Sequence, residues 1–354
     1  MKSMPQSHYS GASHLNAPPI NAHFAALDLG TNNCRLLIAH PYFRATANGR
    51  VLNVVDSYSR VVKLGEGIVT NGTLSKEAMM RAKESLLNCA EKIDKYNVIK
   101  SRYVTTEACR RAENAKEFID EMRKVTGLEL EIITAEEEAK LALLGCCSLL
   151  ERGVHRALAF DIGGGSTEVM WVQTPVSYQQ DEDSVFPFVP ETRGWMSIPH
   201  GVMSLTEAMV DSAYTELYFE EIVATIMQHL KPLSVDHNIS DWIHKDTTQL
   251  LSTSGTVTTL AAIYLGLSRY DRARVDGVKL SVKDLQKTIR FILAMRQSER
   301  FMHPCIGSDR CEYILAGCAI FEAIVRTFPF HFITIADRGV REGVIMQLMM
   351  DNAL

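Results

Sequence analysis

Apolar positions along the chain follow two periods, and each change of period marks a boundary between elements. From residue 24, three runs, FAALDLG, CRLLIAH and VLNVVDSYSRVVKL, carry the short apolar pattern of strands. A helical repeat from Ser75 to Tyr96 comes next. The chain then alternates: a strand at RYVTT, a helix from Ala112 to Val125, a strand at LELEII and a helix from Ala135 to Leu150. That order, βββαβαβα, predicts an α/β architecture with helices packed on a central sheet.

The second half opens as the first does. ALAFDIG reads as an apolar strand, followed by a glycine turn and by TEVMWV, which alternates like a half-buried strand. A polar excursion, PVSYQQDEDSVFPFVPETRG, precedes a strand at WMSIP and a long helix from Val202 to Leu230. TSGTVTTLAAIYLG starts a further helix after a strand, helices fill most of 282–327, and strand HFITIAD and a helix from Val340 close the chain. Set side by side, FAALDLGTNNCRLLIA and ALAFDIGGGSTEVMWV are both strand, Asp-x-Gly, small polar turn, strand. We read a duplication: residues 1–22 as a flexible tail, 23–150 as a first lobe and 151–354 as a second, whose last helix is free to pack back on the first.

Composition narrows the function classes. With 354 residues, 46% apolar and 22% charged, the chain suits two globular lobes, and its formal net charge of -5 argues against non-specific nucleic-acid binding. No apolar run approaches the roughly 18 residues of a membrane span, so no membrane partner is expected. The eight cysteines show no CxxC spacing and predict reduced, buried thiols in the cytoplasm, with His303 and Cys305 as packing residues rather than metal ligands.

An Asp-x-Gly turn between strands exposes backbone N–H groups that can cradle a phosphate, and the aspartate at the strand end offers a carboxylate to magnesium. A P-loop would need GxxxxGK[ST], which is absent, and a dinucleotide fingerprint would lead into a helix, whereas GGGSTEVMWV leads into a strand. A glycine-rich hairpin without a ligand is the plain alternative. Ser254, Gly255 and Thr256 open a helix whose amides can face an anion, or Ser254 simply caps it. The acidic run AEEEA opens the helix joining the two repeats, where the dipole favours carboxylates in any protein. Arg110 and Arg111 follow a strand end at a helix start, suited to bidentate phosphate contact or to ordinary surface charge.

Taken in order, ALDLGTNNCRLLIA, VVKLGEGI, VTTEACRRAENAKEF, EIITAEEEAKLAL, AFDIGGGSTEV, STSGTVTTLAA and ADRGVREGVI resemble the exopolyphosphatase/guanosine pentaphosphate phosphatase (Ppx/GppA) family over residues 24–350, in its short form without a C-terminal helical domain. The resemblance implies an actin-like ATPase-domain (ribonuclease H-like) fold of two duplicated lobes around a cleft. It also implies hydrolysis of terminal phosphoanhydrides with magnesium or another divalent cation, on inorganic polyphosphate or guanosine pentaphosphate, by a homodimer. Carried residue by residue, it makes Glu138 the general base and Arg110 the phosphate-binding arginine. Asp28, Asp161 and Glu168 become the acids near the metal, and Gly30, Thr31, Asn32, Gly163, Gly164, Gly165, Ser166, Gly255 and Thr256 the phosphate cradle. The first turn is GTNN where the family commonly has GSNS, and Ala135 stands where many relatives have glycine. An actin-like-fold kinase and an actin-like filament or binding module are the rival readings of the same fold.

Overall fold

Edge strands and hairpins order the first sheet. In a computed structural model, which describes residues 22–41, 52–175, 188–207, 216–244 and 247–353, β1 (His23–Leu29), β2 (Asn33–Pro41) and β3 (Leu52–Val61) form an antiparallel meander. β4 (Val98–Thr105) and β5 (Leu130–Ile132) join it in parallel, giving the order β3-β2-β1-β4-β5. The tail read over residues 1–22 lies outside the described residues except for Ala22.

The second sheet repeats this plan. β6 (Arg156–Ile162), β7 (Thr167–Gln173) and β8 (Glu191–Ile198) form the meander, and β9 (Thr248–Ser252) and β11 (Phe332–Ile335) extend it in parallel. One strand, β10 (Val278–Ser281), is added at the edge, so the order is β10-β11-β9-β6-β7-β8. Even the turns coincide: the amide of Gly30 donates to the carbonyl of Asn33 and that of Gly163 to Ser166, each at 2.9 Å. The polar excursion is shorter than its composition suggests, because ETRG belongs to β8, where exposure alternates along the strand. Residues 176–187 lie outside the described ones.

Helices α1 (Ile68–Asn71) and α2 (Lys76–Lys95) follow the first meander, and Ser75 caps α2 through its hydroxyl, 3.1 Å from the amide of Ala78. The helix expected from Ala112 to Val125 is α4 (Ala115–Thr126), and a short helix that the pattern does not predict, α3 (Glu107–Arg111), precedes it. Between them Asn114 turns its side chain onto the backbone of Leu74, donating to its carbonyl at 3.0 Å and accepting its amide at 2.8 Å, which diverts the chain from a continuous helix. α5 (Ala135–Cys146) carries the acidic run at its start and ends in a short 3-10 turn at Cys147–Leu149.

In the second half, the long helix from Val202 is α6 (Val202–Glu207) and α7 (Glu216–Asp236), residues 208–215 being outside the described ones; α7 continues through Pro232 beyond its expected end. α8 (Ile239–Ile243), α9 (Gly255–Tyr264) and α10 (Arg272–Val275) come next. The region 282–327 is three helices, α11 (Val282–Ala294), α12 (Gln297–Met302) and α13 (Ile314–Thr327), interrupted where Pro304 and the left-handed Gly307, at φ 68°, stop the helical path. All eight cysteines are buried and unpaired, and no helix among the described residues is long and apolar enough to cross a membrane.

Two helices bind the sheets to each other. α14 (Val340–Ala353), last in the sequence, returns to the first sheet: Val340, Val344, Ile345 and Met349 share a buried cluster with Phe24, Ala26 and Leu37. α5, which closes the first repeat, buries Ala139, Leu143 and Leu144 against Ala157, Ala159, Met170 and Leu251 of the second sheet. The two helices cross where each carries a glycine. A Cβ at Gly145 would lie 2.1 Å from the carbonyl oxygen of Gly339, and one at Gly343 would lie 1.9 Å from that of Leu141. Both obstacles are backbone, which cannot rotate away as a side chain does. We therefore expect Gly343→Ala to cost about 3 kcal/mol of unfolding free energy, as overpacking of a rigid contact does. The denaturant midpoint reads it, and an unchanged midpoint would mean that the helices part without loss.

Candidate active site

A cleft of about 520 Å³ opens between the two sheets at the ends of β1 and β6. The duplicated turns form its floor, with residues 30–33 on one side and 163–166 on the other. Their carbonyls are fastened from behind in the same manner in both lobes. Thr31 accepts the amide of Gly65 at 2.9 Å and Asn32 that of Val62 at 2.8 Å, while Gly163 and Gly164 accept those of Val202 and Met203 at 3.0 and 2.8 Å.

The structure assigns the glycines a reason that composition does not disclose. A Cβ on Gly164 would stand 3.1 Å from Cβ of Thr31, and one on Gly165 would stand 2.8 Å from Cγ of Glu107. The triple glycine therefore lets the turn of one lobe touch the other lobe, besides keeping its backbone bare toward the cleft. Gly255 and Thr256 line the opposite wall at the start of α9; Ser254 caps that helix, accepting the Thr256 amide at 3.1 Å.

Of the sequence-predicted residues, Asp28, Gly30, Thr31, Asn32, Glu138, Asp161, Gly163, Gly164, Gly165, Ser166, Gly255 and Thr256 come together around this one cleft. Arg110 and Glu168 stand behind its walls. Glu168 Oε1 accepts from Ser166 Oγ at 2.6 Å and from Ser197 Oγ at 3.0 Å, in a small cavity that it shares with Asp161. Arg110 directs Nη1 to Glu138 Oε2 at 2.8 Å and to the Ile133 carbonyl at 2.9 Å, and Nε to Glu107 Oε2 at 3.1 Å. These bonds hold the guanidinium on protein carboxylates. Arg110 sits in the last turn of α3, not at the start of a helix. His303 and Cys305 make no ligand pair: the ring Nδ1 of His303 accepts the amide of Cys305 at 3.2 Å.

Buried acids dominate the electrostatics. Burial lifts Asp28, opposed by Arg35 and Arg341, and lifts Asp161 to about 6, opposed by Arg35. Glu168 rises to about 7 through burial, held down partly by its Ser166 bond. Glu138 rises well above the ordinary carboxylate range through burial and the charge of Glu168, with Arg110 opposing. Among the described residues no group of three or more His, Cys, Asp or Glu stands close enough to hold a metal ion directly.

Sequence reasoning missed the cations. Arg35, Arg310 and Arg341 all line the cleft. Arg35 pairs across the hairpin with Asp28, in the register where Glu168 pairs with Asp161. Burial and the neighbouring charge of Arg35 lower the pKa of Arg310, whose Nη1 lies 3.4 Å from the Gly255 carbonyl and bonds Thr259. Arg341 is also lowered by burial, despite Glu342 beside it. Strand alternation could have flagged Arg35, a charged residue within the apolar run CRLLIA; nothing local marks Arg310.

Two duplicated five-stranded units, their glycine hairpins facing across a cleft and their last helices crossing, define an actin-like ATPase-domain fold. The Ppx/GppA phosphatase family model matches residues 43–352, and the chain belongs to that family and is a phosphohydrolase. It is 26% identical over 339 residues to exopolyphosphatase 2 of Mycobacterium tuberculosis, covering 92% of this chain and 98% of that one. It is 27% identical over 330 residues to the guanosine-5'-triphosphate,3'-diphosphate pyrophosphatase of Aeromonas salmonicida, covering 93% of this chain but only 60% of that longer protein. The crystal structure of the Aquifex aeolicus Ppx/GppA family member superposes with a TM-score of 0.74 at 26% identity, over 93% of this chain and 98% of that one.

The lifted aspartate makes a stability prediction. Asp161 titrates near 6 when folded against 3.8 ordinarily, so the folded state binds its proton more tightly than the unfolded chain. The resulting cost is absent below about pH 4, grows as pH rises and is complete above about pH 6. In chelator at neutral pH, Asp161→Asn should therefore raise stability by ~1 kcal/mol, a few degrees in melting temperature. The gain should vanish below pH 4, and a lower melting temperature at pH 7 would contradict this account.

Proposed function

We propose that the chain removes the terminal phosphate of a phosphoanhydride chain, with inorganic polyphosphate as first substrate, by attack of a water held at Glu138. The observation that carries this reading is the gathering of Arg35, Arg310 and Arg341 over the twin turns. Like charges repel, and the lowered pKa of Arg310 and Arg341 records that strain together with burial. A polyanion lying in the cleft relieves it.

In this reading the terminal phosphate rests on the turn at 163–166 and the first turn of α9, with preceding phosphates directed along the arginines. Glu138 lines the cleft, and Arg110 occupies only its Oε2. Oε1 can then orient a water and accept its proton as the water oxygen attacks phosphorus. A carboxylate lifted toward neutrality is a stronger base than an exposed one. Arg110 opposes that lift and orients Glu138 through its Nη1 bond.

Magnesium suits the residues present. Asp28 and Asp161 face the cleft with carboxylates whose ionisation burial opposes, and the side-chain oxygen of Asn32 is buried there without a partner. With no direct cluster, Asp28 and Asp161 would hold a largely hydrated ion, and Glu168 would buttress Asp161 from behind. Bound there, the ion supplies neutralising charge to the phosphate oxygens.

Guanosine pentaphosphate is the second reading. Among the described cleft-lining residues the one aromatic is Tyr313, whose ring is covered by the Lys63 ammonium at 5.6 Å. A base would have to displace Lys63 to stack there, which favours the linear polymer.

Phosphate release from polyphosphate and from guanosine pentaphosphate, measured side by side, tests the proposal. Glu138→Gln should lower kcat by about 10²- to 10⁴-fold with an unchanged melting curve; near-normal turnover would remove Glu138 from the role of base. Arg35→Ala should raise KM for polyphosphate about tenfold, as loss of a charge-assisted contact does. Chelation of divalent ions should stop turnover of both substrates, and activity that persists in chelator would overturn the metal reading.

A further inference from the structure

Arg110 is shared by two carboxylates, and only one of them has a task so far. Glu138 takes Nη1. Glu107 takes Nε: its Oε2 accepts that N–H at 3.1 Å, and it stands 3.0 Å from Nη2, an ion-pair contact that leaves the buried Nη2 without a hydrogen bond. All three side chains are largely buried, and both glutamates, unlike Arg110, line the cleft. In a cleft that gathers phosphates, a second carboxylate repels what the arginines attract.

A second observation concerns the stem of Glu107. Its Cγ lies 2.8 Å from where a Cβ on Gly165 would stand, and its Cβ lies 3.4 Å from that point. Glu107 belongs to α3 of the first lobe and Gly165 to the glycine turn of the second. The same side chain thus touches the cradle of one lobe and the guanidinium that serves the base in the other.

We propose that Glu107 is a positioning residue of the hydrolysis: it anchors Nε of Arg110 so that Nη1 stays on Glu138, and its stem on Gly165 ties that alignment to the apposition of the two lobes. Without it Arg110 would keep a single carboxylate contact, free to pivot about Nη1 and swing toward bound phosphate. Glu138 would then be misaimed. Binding would be kept or strengthened, and turnover would fall.

This inference rests on the phosphohydrolase reading, and a double-mutant cycle separates the two. Phosphate release from polyphosphate with magnesium is measured for the wild type, Glu107→Gln, Arg110→Ala and the double variant, with a melting curve for each. Glu107→Gln, which keeps the stem and removes the charge, should lower kcat about tenfold, as a small misplacement of a catalytic group does, with KM unchanged or reduced. In the Arg110→Ala background the same substitution should change kcat less than about twofold, because its effect passes through Arg110. Glu107→Asp, charged but one methylene shorter, should fall between wild type and Gln, and it serves for the cycle if Gln does not fold. An unchanged kcat in Glu107→Gln, or an equal loss with and without Arg110, would overturn the positioning role alone. A wild type that releases no phosphate would overturn the hydrolase reading and this inference with it.

Discussion

The crossing of α5 and α14 is the constraint on which the rest of the molecule depends. Each helix closes one repeat in sequence and buries its apolar side in the other, so neither sheet has a complete core without the partner repeat's helix. They approach so closely at Gly145 and Gly343 that backbone touches backbone. Their first turns are consequently fixed relative to each other, and those turns bring Glu138 and Arg341 to the cleft. The same packing contact reaches the cleft wall at Gly339.

In the cleft wall itself, a buried ionic lattice continues that fixity. Arg338 holds Asp276 through contacts of 2.6 to 3.1 Å and reaches Ser148 at the end of α5, and Glu342 accepts from Arg272 at 2.8 Å and from the Gly339 amide at 2.9 Å. Ordinarily a buried carboxylate is lifted; Glu342 instead sits near 2, because Arg341, Arg272 and the helix-start amide outweigh its burial. The cleft acids Asp28, Asp161 and Glu138 have no comparable compensation and are lifted. Within the cleft wall, Glu342, paired to arginines, is satisfied, and Asp28, Asp161 and Glu138 are not.

Much of this was legible in the chain. The repeated Asp-x-Gly hairpin could be read directly, because a strand period, an aspartate and a glycine turn are local signals, and the sheets carry them in matching register. The acidic start of α5 was equally local. What escaped reading was set by tertiary contact. The start of α4 at Ala115, later than the pattern puts it, depends on Asn114 finding Leu74. Arg310 sits in an irregular turn whose place beside α9 no periodicity encodes. That Glu107 and Glu138 bond Nε and Nη1 of Arg110 is likewise a tertiary fact its sequence context does not reveal. The glycines were expected to make room for a ligand, yet they make room for Thr31 and Glu107 as well.

Arg35 and Glu168 occupy the same place in the two hairpins, each opposite the strand-end aspartate. The scaffold is doubled, but the charge upon it is not: one arm ends in a cation and the other in a carboxyl that titrates near neutrality. A container with mirrored walls would let a chain of identical phosphates lie in either direction with equal ease. This one has a head and a tail. On the polyphosphate reading proposed above, a polymer with no direction of its own would acquire one on entering the cleft.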